Sequence, residues 1–276
     1  MIRKLLILAV LNTVLFGQSS YDILGVPTTA KDAALGINLN PIVRPTAISS
    51  SEDRVVTLNG WSWIADIQSA YLGVDLANMH VGVRSVNFGE FEYRNEIPSD
   101  DPISTFGYSL FSIGGAYAYE LNSFIIGLGA ELVYERTLNA SATGLSLNLA
   151  AAYPVSDNLG ISTGLRHLGT TEELDTAATA LPTEIWFGAD LQLNEFSVLT
   201  ELSSGVYPLA LGVSYRFADI FDVMGGLQVE LADPSVRMHP SLGFSVDWTN
   251  FTLGYTNYQM NHRLGSRHFF SLYWRY

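Results

Sequence analysis

The sequence predicts an all-β membrane protein: an antiparallel, up-and-down transmembrane β-barrel of about 14 strands with a short N-terminal plug segment. Three observations lead to this prediction. The mean hydropathy is +0.20, and only 15% of the 276 residues are charged, compared with about 25% in soluble domains. The sequence has no apolar run suited to a spanning helix, and apolar residues instead recur at every second position. Lipid accepts only helices and closed barrels, because an unpaired backbone group is costly there.

The first 17 residues have the pattern of a secretory signal peptide. Arg3 and Lys4 supply the positive start, and an apolar stretch follows over residues 5–16. Gly17 is the small residue before the expected cleavage. The stretch is too short to span a bilayer as a helix; an N-terminal anchor helix is the alternative. Secretion fits a barrel in the outer membrane of a Gram-negative bacterium.

The strand pattern is clearest around residues 145–149. Leucines lie at positions 145, 147 and 149, and Ser146 and Asn148 lie between them. Successive side chains of a strand point to opposite faces, so one face is apolar and the other is small or polar. In a membrane barrel the apolar face contacts lipid and the polar face lines the lumen. The same alternation recurs over residues 124–134, 185–192, 209–217 and 242–248.

Fourteen strands are predicted. The length of the link after each strand depends on whether the strand has an odd or an even number. Links after even-numbered strands are short and often contain Asn or Asp, as at Leu193–Asn194. Links after odd-numbered strands tend to be longer, as at Gly89–Ser104. Outer-membrane barrels have short periplasmic turns and longer outer loops, whereas a soluble β-sandwich has no reason to show this parity. The predicted strands are 53–62, 66–76, 79–88, 105–119, 123–134, 143–153, 158–168, 183–192, 195–203, 208–217, 220–230, 236–248, 250–258 and 266–276.

The last predicted strand alternates to a terminal aromatic residue. Phe270, Leu272, Trp274 and Tyr276 share one face of it. Trp and Tyr are favoured at the membrane–water interface, so this ending indicates a strand that faces lipid.

Residues 18–52 lack the alternation and contain Pro27, Pro41 and Pro45. The stretch that ends at Gly36 predicts a short helical turn. A fourteen-strand barrel has a lumen wide enough to need filling. We therefore expect this segment to enter the barrel as a plug; a flexible periplasmic tail is the alternative. The expected organisation is a signal peptide at 1–17, a plug at 18–52 and the barrel at 53–276.

Several segments resemble the PorV/PorQ family of outer-membrane proteins, and more closely its PorQ branch. The resemblance covers nearly the whole chain after the signal peptide, and its specificity comes from the order of the segments. These are VPTTAKDAALG (26–36), VNFGEF (86–91), GLRHLG (164–169), ALPTEIWFGADL (180–191) and NYQMNHRLGSRHFFSLYW (257–274).

This resemblance implies a FadL-like fold of fourteen strands with an N-terminal plug. It also implies a non-enzymatic scaffold or substrate shuttle for type IX protein secretion and cell-surface attachment, with a protein partner in that complex. The family usually has an Asn-Pro-Ala motif, where this chain has Asn40-Pro41-Ile42, so a reduced plug is expected. The alternative function, a FadL-like channel for hydrophobic small molecules, rests on likeness of fold alone.

The sequence predicts no enzymatic, metal or cofactor site. It contains no cysteine, and its five histidines lie at no metal-binding spacing. Motifs for a nucleophile elbow, a phosphate loop or a dinucleotide are absent from the sequence. The net charge of −13 argues against nucleic acid as a partner. Outer-membrane lipid and lipopolysaccharide are the expected surroundings.

Charged residues suggest two groups of contact sites. The acidic outer loops are expected to bind a protein partner; simple solvation of these loops is the alternative. The strand charges are expected to face inward, because an arginine that faces lipid at mid-depth costs about 2–4 kcal/mol. The loop residues are Glu90, Glu92, Glu96, Asp100, Asp101, Glu172, Glu173 and Asp175. The lumen and plug residues are Lys31, Asp32, Arg44, Arg84, Arg166, Arg216, Glu131, Asp190 and Glu201.

Overall fold

A computed structural model of the chain describes residues 24–48, 54–63, 66–93, 104–137, 140–174, 177–178, 180–232, 235–260 and 265–276. The expected signal peptide at 1–17 lies outside these ranges. The ends of the expected plug segment, 18–23 and 49–52, also lie outside them.

In this part of the chain, fourteen strands close into one barrel, and every neighbouring pair is antiparallel. The strands follow one another around the barrel in chain order, except that β7 pairs directly with β10. The short strands β8 and β9 form a separate hairpin between them. The predicted all-β, fourteen-stranded, up-and-down barrel is confirmed. The strands are β1 (Val55–Ser62), β2 (Gln68–Leu76), β3 (Met79–Tyr93), β4 (Ser104–Leu121), β5 (Phe124–Thr137), β6 (Ala140–Ser156), β7 (Leu159–Thr171), β8 (Glu173–Leu174), β9 (Ala177–Ala178), β10 (Glu184–Leu193), β11 (Phe196–Ser203), β12 (Leu209–Phe217), β13 (Phe221–Ala232), β14 (Ser235–Trp248), β15 (Phe251–Gln259) and β16 (Ser266–Arg275).

Tight turns mark one end of the barrel, which we call the periplasmic end. Asn122, Asn194 and Asp219 adopt positive φ values of 55°, 53° and 59° in these turns, and Asn and Asp tolerate that conformation well. The start of β1 lies at the same end, because Val55 pairs with Arg275 of the last strand. The opposite end, with the longer connections, is the outer end.

The outward face of the barrel is apolar. Leu128 and Leu132 on β5 each expose 53% of their surface, whereas Glu131 between them exposes 7%. Trp248 and Trp274 are exposed at the periplasmic end, where an interfacial aromatic belt is expected. An apolar wall of this extent is stable only in lipid, so the barrel spans the outer membrane.

Among the residues that the structure describes, no helix is long and apolar enough to cross a membrane.

Residues 24–48, which we call the plug, lie inside the barrel. Helix α1 (Ala30–Leu35) packs against β12–β16, and a 3₁₀ turn (Pro45–Ala47) packs against β4–β6. Thr29 caps α1 by accepting a hydrogen bond from the backbone N–H of Asp32, and Gly36 ends it with a φ of 66°. The plug therefore reaches across the lumen between two parts of the wall.

The inner wall differs from the sequence prediction at the outer end. A small or polar inner face was expected throughout, yet the side chains there are large and apolar. They form a buried cluster with Leu24 of the plug, which we call the outer apolar cluster. Its inward-facing wall residues are Trp61, Val86, Leu110, Val133 and Phe269.

Candidate functional site: the plugged lumen

The plug divides the lumen into two cavities. The outer cavity has a volume of about 300 Å³ and a mixed lining of apolar, polar and charged residues. The apolar part of this lining continues into the outer apolar cluster, because Val26 and Phe88 pack against that cluster. A cavity that combines apolar walls with convergent polar groups is typical of a small-molecule site. The lining includes Val26, Phe88, Val206, Asn38, Gln228, Arg166, Glu184, Glu201 and Arg267.

The periplasmic cavity has a volume of about 520 Å³ and a polar, charged lining. Arg216 donates to Asp222 at 2.8 Å and lies 3.3 Å from Asp247. Arg275 lies 3.5 Å from the same Asp247. Lys31 of α1 is exposed at this cavity rather than buried against the wall.

A hydrogen-bonded chain also lines the periplasmic cavity. The Asp75 Oδ1 and His80 Nδ1 atoms are 2.6 Å apart, and the His80 Nε2 and Tyr71 hydroxyl oxygen are also 2.6 Å apart. The two rings stack over Gly73 and Gly82, where an added Cβ would lie 2.9 Å or less from an atom of these side chains. The glycines of this wall therefore make room for the aromatic pair.

A buried ion network holds the plug to the wall. Arg44 of the plug lies 3.3 Å from Glu201, and the other oxygen of Glu201 lies 2.9 Å from Arg166. Arg166 also pairs with Glu184 at 2.5 Å. The guanidinium of Arg44 stacks over the Trp186 ring at 4.4 Å. Four charges that balance each other in a buried site resist separation, because removing one leaves another unpaired.

Backbone contacts add to this attachment along α1. The Ala30 N–H donates to Ser271 Oγ at 2.7 Å, and the Ala30 carbonyl accepts from Thr256 Oγ1 at 2.6 Å. Ser241 Oγ donates to the Ala34 carbonyl at 2.9 Å. Inward serines and threonines of β14–β16 thus satisfy the backbone of a helix that is too short to do so itself.

Inward glycines let the plug backbone approach the wall. A Cβ at Gly226 would lie 2.5 Å from the Ala34 carbonyl oxygen, and one at Gly212 would lie 2.7 Å from the Leu35 carbonyl oxygen. Gly127 and Gly129 similarly face Pro45 and Ile42. These glycines therefore accommodate the plug.

Asp32 lies inside the plug rather than at the wall. Its carboxylate accepts a hydrogen bond from Thr28 Oγ1 at 3.2 Å. Burial raises the pKa of Asp32 from 3.8 to about 6, although the hydrogen bonds from Thr29 and Thr28 and the charge of Lys31 act in the opposite direction. Docking of the helix that carries this carboxyl group is therefore expected to depend on pH.

Strand β7 is kinked beside the outer cavity. Arg166 and His167 both lie opposite Asn148 of β6, and the His167 N–H donates to Asn148 Oδ1 at 2.7 Å. His167 has a φ of 58°, which is typical of a bulge. Beyond the bulge, β7 pairs with β6 up to Thr171 but with β10 only as far as Arg166. The regular ladder between β7 and β10 therefore ends beside Glu184, and Thr183 Oγ1 continues the contact by donating to the His167 carbonyl at 2.8 Å.

The remaining lumen residues are placed as follows. Arg84 and Glu131 are both buried and line a small space beside the plug. Arg84 Nε and Nη2 have no hydrogen-bond partner within the described chain. Asp190 accepts from Gln192 at 3.0 Å. The structure thus brings Arg44, Glu201 and Arg166 into direct contact and places the other charges apart from that network.

The acidic loop residues are only partly described. Glu90, Glu172 and Glu173 are exposed, and the Glu172 carboxylate accepts from the Thr143 N–H at 3.0 Å. Glu92 lies in β3, but its side chain is outside the described part. Glu96, Asp100, Asp101 and Asp175 lie outside the described residues altogether.

Sequence reasoning missed the outer apolar cluster and the bulge. The cluster has a weak signal, since Phe269 and Phe270 are adjacent aromatics that no single apolar face explains. The bulge has none beyond Gly164 and Gly169 on either side of it. Within the described ranges, no group of three or more His, Cys, Asp or Glu side chains could hold a metal ion.

Comparisons with known proteins place the fold. No family model matches the chain, and no curated protein matches it. Among solved structures, the toluene transporter TodX of Pseudomonas putida superposes with a TM-score of 0.65 at 10% identity, over 90% of this chain and 98% of its own. The monoaromatic hydrocarbon channel CymD gives 0.62 at 11% identity, over 94% and 98%.

A FadL homologue of Pseudomonas aeruginosa gives a TM-score of 0.58 at 11% identity, over 91% of this chain and 98% of its own. Identities this low establish likeness of fold and no more. They support the FadL-like fold that the family resemblance implies, and they do not bear on membership of the PorV/PorQ family. The protein has the fold of the FadL-like outer-membrane channels.

Proposed function

We propose that the protein is an outer-membrane channel for small hydrophobic compounds. The observation that carries this proposal is the outer apolar cluster, in which Trp61, Val133 and Phe269 face inward next to a cavity of about 300 Å³. Lipid already covers the outward face of the barrel. Val26 and Phe88 connect this cluster to the cavity wall, and with Val206 they favour an apolar solute beside the paired charges of the lining.

The structural neighbours are consistent with this proposal. TodX is described as a toluene transporter and CymD as a monoaromatic hydrocarbon channel. Their solutes are of a size that a cavity of about 300 Å³ accommodates. Fold likeness alone is weak support, so the apolar lining of this chain has the greater weight.

The kink in β7 provides a second line of support. A channel for apolar solutes gains from an exit into lipid, because the solute then avoids water. Arg166 and Glu184 line the outer cavity and also form the last pair of the seam between β7 and β10. Separation of the strands at this seam would open the cavity sideways.

The plug keeps this proposed route closed towards the periplasm. It is held by the Arg44–Glu201 pair and by the backbone contacts of α1. Passage to the periplasmic cavity therefore requires the plug to shift, whereas a sideways exit does not.

Accumulation of radiolabelled toluene in a bacterial host without a channel of its own tests the proposal. Cells that produce the protein should accumulate toluene several-fold faster than cells with an empty vector. Val206→Trp places a large ring at the outer cavity and should remove most of this gain. Leu209→Trp adds the same ring to a lipid-facing position and should leave it. Equal rates in all four strains would contradict the proposal.

A scaffold or shuttle role in type IX secretion is the second candidate. It rests on the PorV/PorQ resemblance, and one structural observation favours it: the VPTTAKDAALG segment forms a capped helix docked inside the barrel. The exposed Glu172 and Glu173 suit a basic partner surface. A stable partner that co-purifies from native outer membranes, together with no toluene accumulation, would favour this role over the channel.

The loop carboxylates permit a sharper test of that candidate. Replacing Glu172, Glu173 and Asp175 with Ser should weaken recovery of the partner in a pull-down. Glu172 also bonds to the Thr143 backbone, so Glu173→Ser alone is the cleaner variant. Unchanged recovery would remove this loop from the proposed interface.

A further inference from the structure

The outer cavity contains polar groups that a pure hydrocarbon cannot satisfy. Arg267 and Asn38 both line it, and they expose only 8% and 6% of their surface. Arg267 Nε and Asn38 Nδ2 have no hydrogen-bond partner in the described chain. A buried donor without a partner is costly and calls for an explanation. Both groups are donors, and both atoms are fully buried, so an acceptor on a ligand reaches them when the two side chains turn towards the cavity.

The charge balance indicates that the acceptor is negative. Glu184 and Glu201 are offset by Arg166 and by Arg44 of the plug. This pairing leaves the charge of Arg267 uncompensated among the described residues that line the cavity. A buried cation without a counter-ion is unfavourable, and a carboxylate on a ligand would supply one.

The surroundings of Arg267 indicate an aromatic ligand. Its guanidinium lies 4.2 Å from the Trp63 ring centroid and 5.4 Å from that of Trp61, so its plane is held by stacking while its edge remains available for hydrogen bonds. Phe88 lines the same cavity, and its ring lies 4.6 Å from that of Tyr108 in an edge-on arrangement. Aromatic walls favour a flat ring as their neighbour.

The cavity volume limits the size of the ligand. About 300 Å³ is at the lower end of the range for small-molecule sites. One substituted ring fits this space, whereas a long alkyl chain would have to leave it.

We infer that the outer cavity binds a single-ring aromatic carboxylate, with the carboxylate on Arg267 and Asn38 and the ring between Phe88, Val26 and Val206. This inference rests on the proposed function and narrows its solute class from hydrocarbons to aromatic acids. The amide of Asn38 belongs to the plug, and its Oδ1 already accepts from the Asn40 N–H at 3.1 Å. The bound carboxylate therefore touches both the wall and the plug.

Acidic outer loops do not prevent this binding. Charges on exposed loops are screened within about 8 Å at physiological ionic strength. Arg267 is buried, so its attraction for a carboxylate is screened much less. Loop repulsion slows the entry of the anion, and added salt should make its association faster.

Calorimetric titration of the full-length barrel in detergent micelles with benzoate and with benzamide tests the inference. The two probes share shape and differ in charge. Benzoate should bind at least tenfold more tightly than benzamide, because a charge-assisted bidentate bond forms only with the acid. Arg267→Met should abolish this preference. Arg237→Met, which removes a half-exposed arginine paired with Glu230, should retain it.

A second variant keeps the inference testable if Arg267→Met fails to fold. Asn38→Asp keeps the oxygen that accepts from Asn40 and replaces the free donor with a negative charge. It should weaken benzoate binding at least tenfold and leave benzamide binding nearly unchanged. Equal affinities of the wild-type protein for both probes, or a preference for benzoate that survives in both variants, would overturn the inference.

The outcome separates this inference from the proposed function. Toluene accumulation that depends on Val206, combined with no measurable benzoate binding, would overturn the inference and leave the hydrocarbon channel in place. Absence of both results would overturn both. Binding of a long-chain fatty acid as tight as that of benzoate would overturn the single-ring limit.

Discussion

At the outer end of the lumen, β1 and β16 turn Trp61 and Phe269 inward, and both side chains are almost fully buried. Towards the periplasmic end, β1, β3 and β16 turn Thr57, His80 and Ser271 inward. Both sets obey the same alternation of faces. The outer half of the wall thus combines an apolar cluster with a few buried charges, whereas the periplasmic half is polar, and the plug lies between them.

The comparison shows that alternation along a strand determines whether a side chain points inward or outward. It does not determine whether that side chain is polar or apolar. On the outward face, lipid demands apolar residues along the whole strand. On the inward face, the favoured type of residue changes with depth along the barrel. Charge networks such as Arg216 with Asp222 line the periplasmic half, and the apolar cluster lies in the outer half. Substitutions that affect only one half of the lumen test this difference between the two halves.

The largest effect is expected from Phe269→Ala. This residue is buried in the outer apolar cluster, whereas its neighbour Phe270 faces lipid and exposes 57% of its surface. Phe269→Ala should lower the free energy of unfolding by about 3–5 kcal/mol, since truncation of a buried Phe leaves a cavity. Phe270→Ala should cost less than half as much. Urea unfolding in micelles measures both; equal losses would show that the inner cluster has no special packing.

Glu201→Gln should have the next largest effect, and it acts on the boundary between the halves. The change leaves Arg44 without its ion-pair partner and leaves Arg166 paired with Glu184 alone. It should weaken plug docking by about 3 kcal/mol, at the lower end for a broken buried pair because one carboxylate remains. Amide hydrogen exchange of residues 33–37 should speed up by two orders of magnitude. Asp247→Asn, in the more open periplasmic network, is the control and should leave this exchange rate unchanged.

A smaller effect is expected from Gly226→Ala. A Cβ at this position would lie 2.5 Å from the Ala34 carbonyl oxygen, whereas the nearest atom to a Cβ at Gly225 lies 3.8 Å away. Gly226→Ala should destabilise the docked plug by about 1–3 kcal/mol, because the plug backbone would have to move to relieve the overlap. Gly225→Ala should be neutral. Protease sensitivity of the plug compares the pair, and identical digestion rates would refute the close approach.

The smallest effect is a pH dependence of plug docking. Burial raises the pKa of Asp32 from 3.8 to about 6, so the docked state holds the proton more tightly than the free segment does. Docking is therefore strongest below about pH 4, weakens as the pH rises towards 6, and is constant above that. Hydrogen exchange of α1 should quicken over this interval. Asp32→Asn should flatten the profile, and an unchanged profile in this variant would assign it to another group.

Much of the fold follows from the sequence because period-two alternation is local. All fourteen barrel strands, the short turns such as the one at Asn194, and the helical turn ended by Gly36 could be predicted from residues close in the chain. The β7 bulge could not, because an extra residue such as His167 changes the register without leaving a pattern.

Less of the candidate site could be predicted from the sequence. An inward direction could be predicted for Arg166 and Glu201, since lipid excludes charge. The pairing of Glu201 with Arg44 joins residues 157 positions apart in the chain, and no local pattern reports such a contact. The apolar cavity was missed because each strand was assigned one apolar face, whereas Trp61 and Phe269 lie on the other.

The central claim is that apolar compounds enter the outer half of the lumen and not the periplasmic half. Anomalous diffraction from crystals of the full-length protein soaked in bromobenzene locates a bound ring directly through its bromine atom. We predict a bromine peak in the outer cavity near Phe88 and Val206, and none in the periplasmic cavity near Asp222. Peaks confined to the lipid-facing wall or to the periplasmic cavity would contradict the claim.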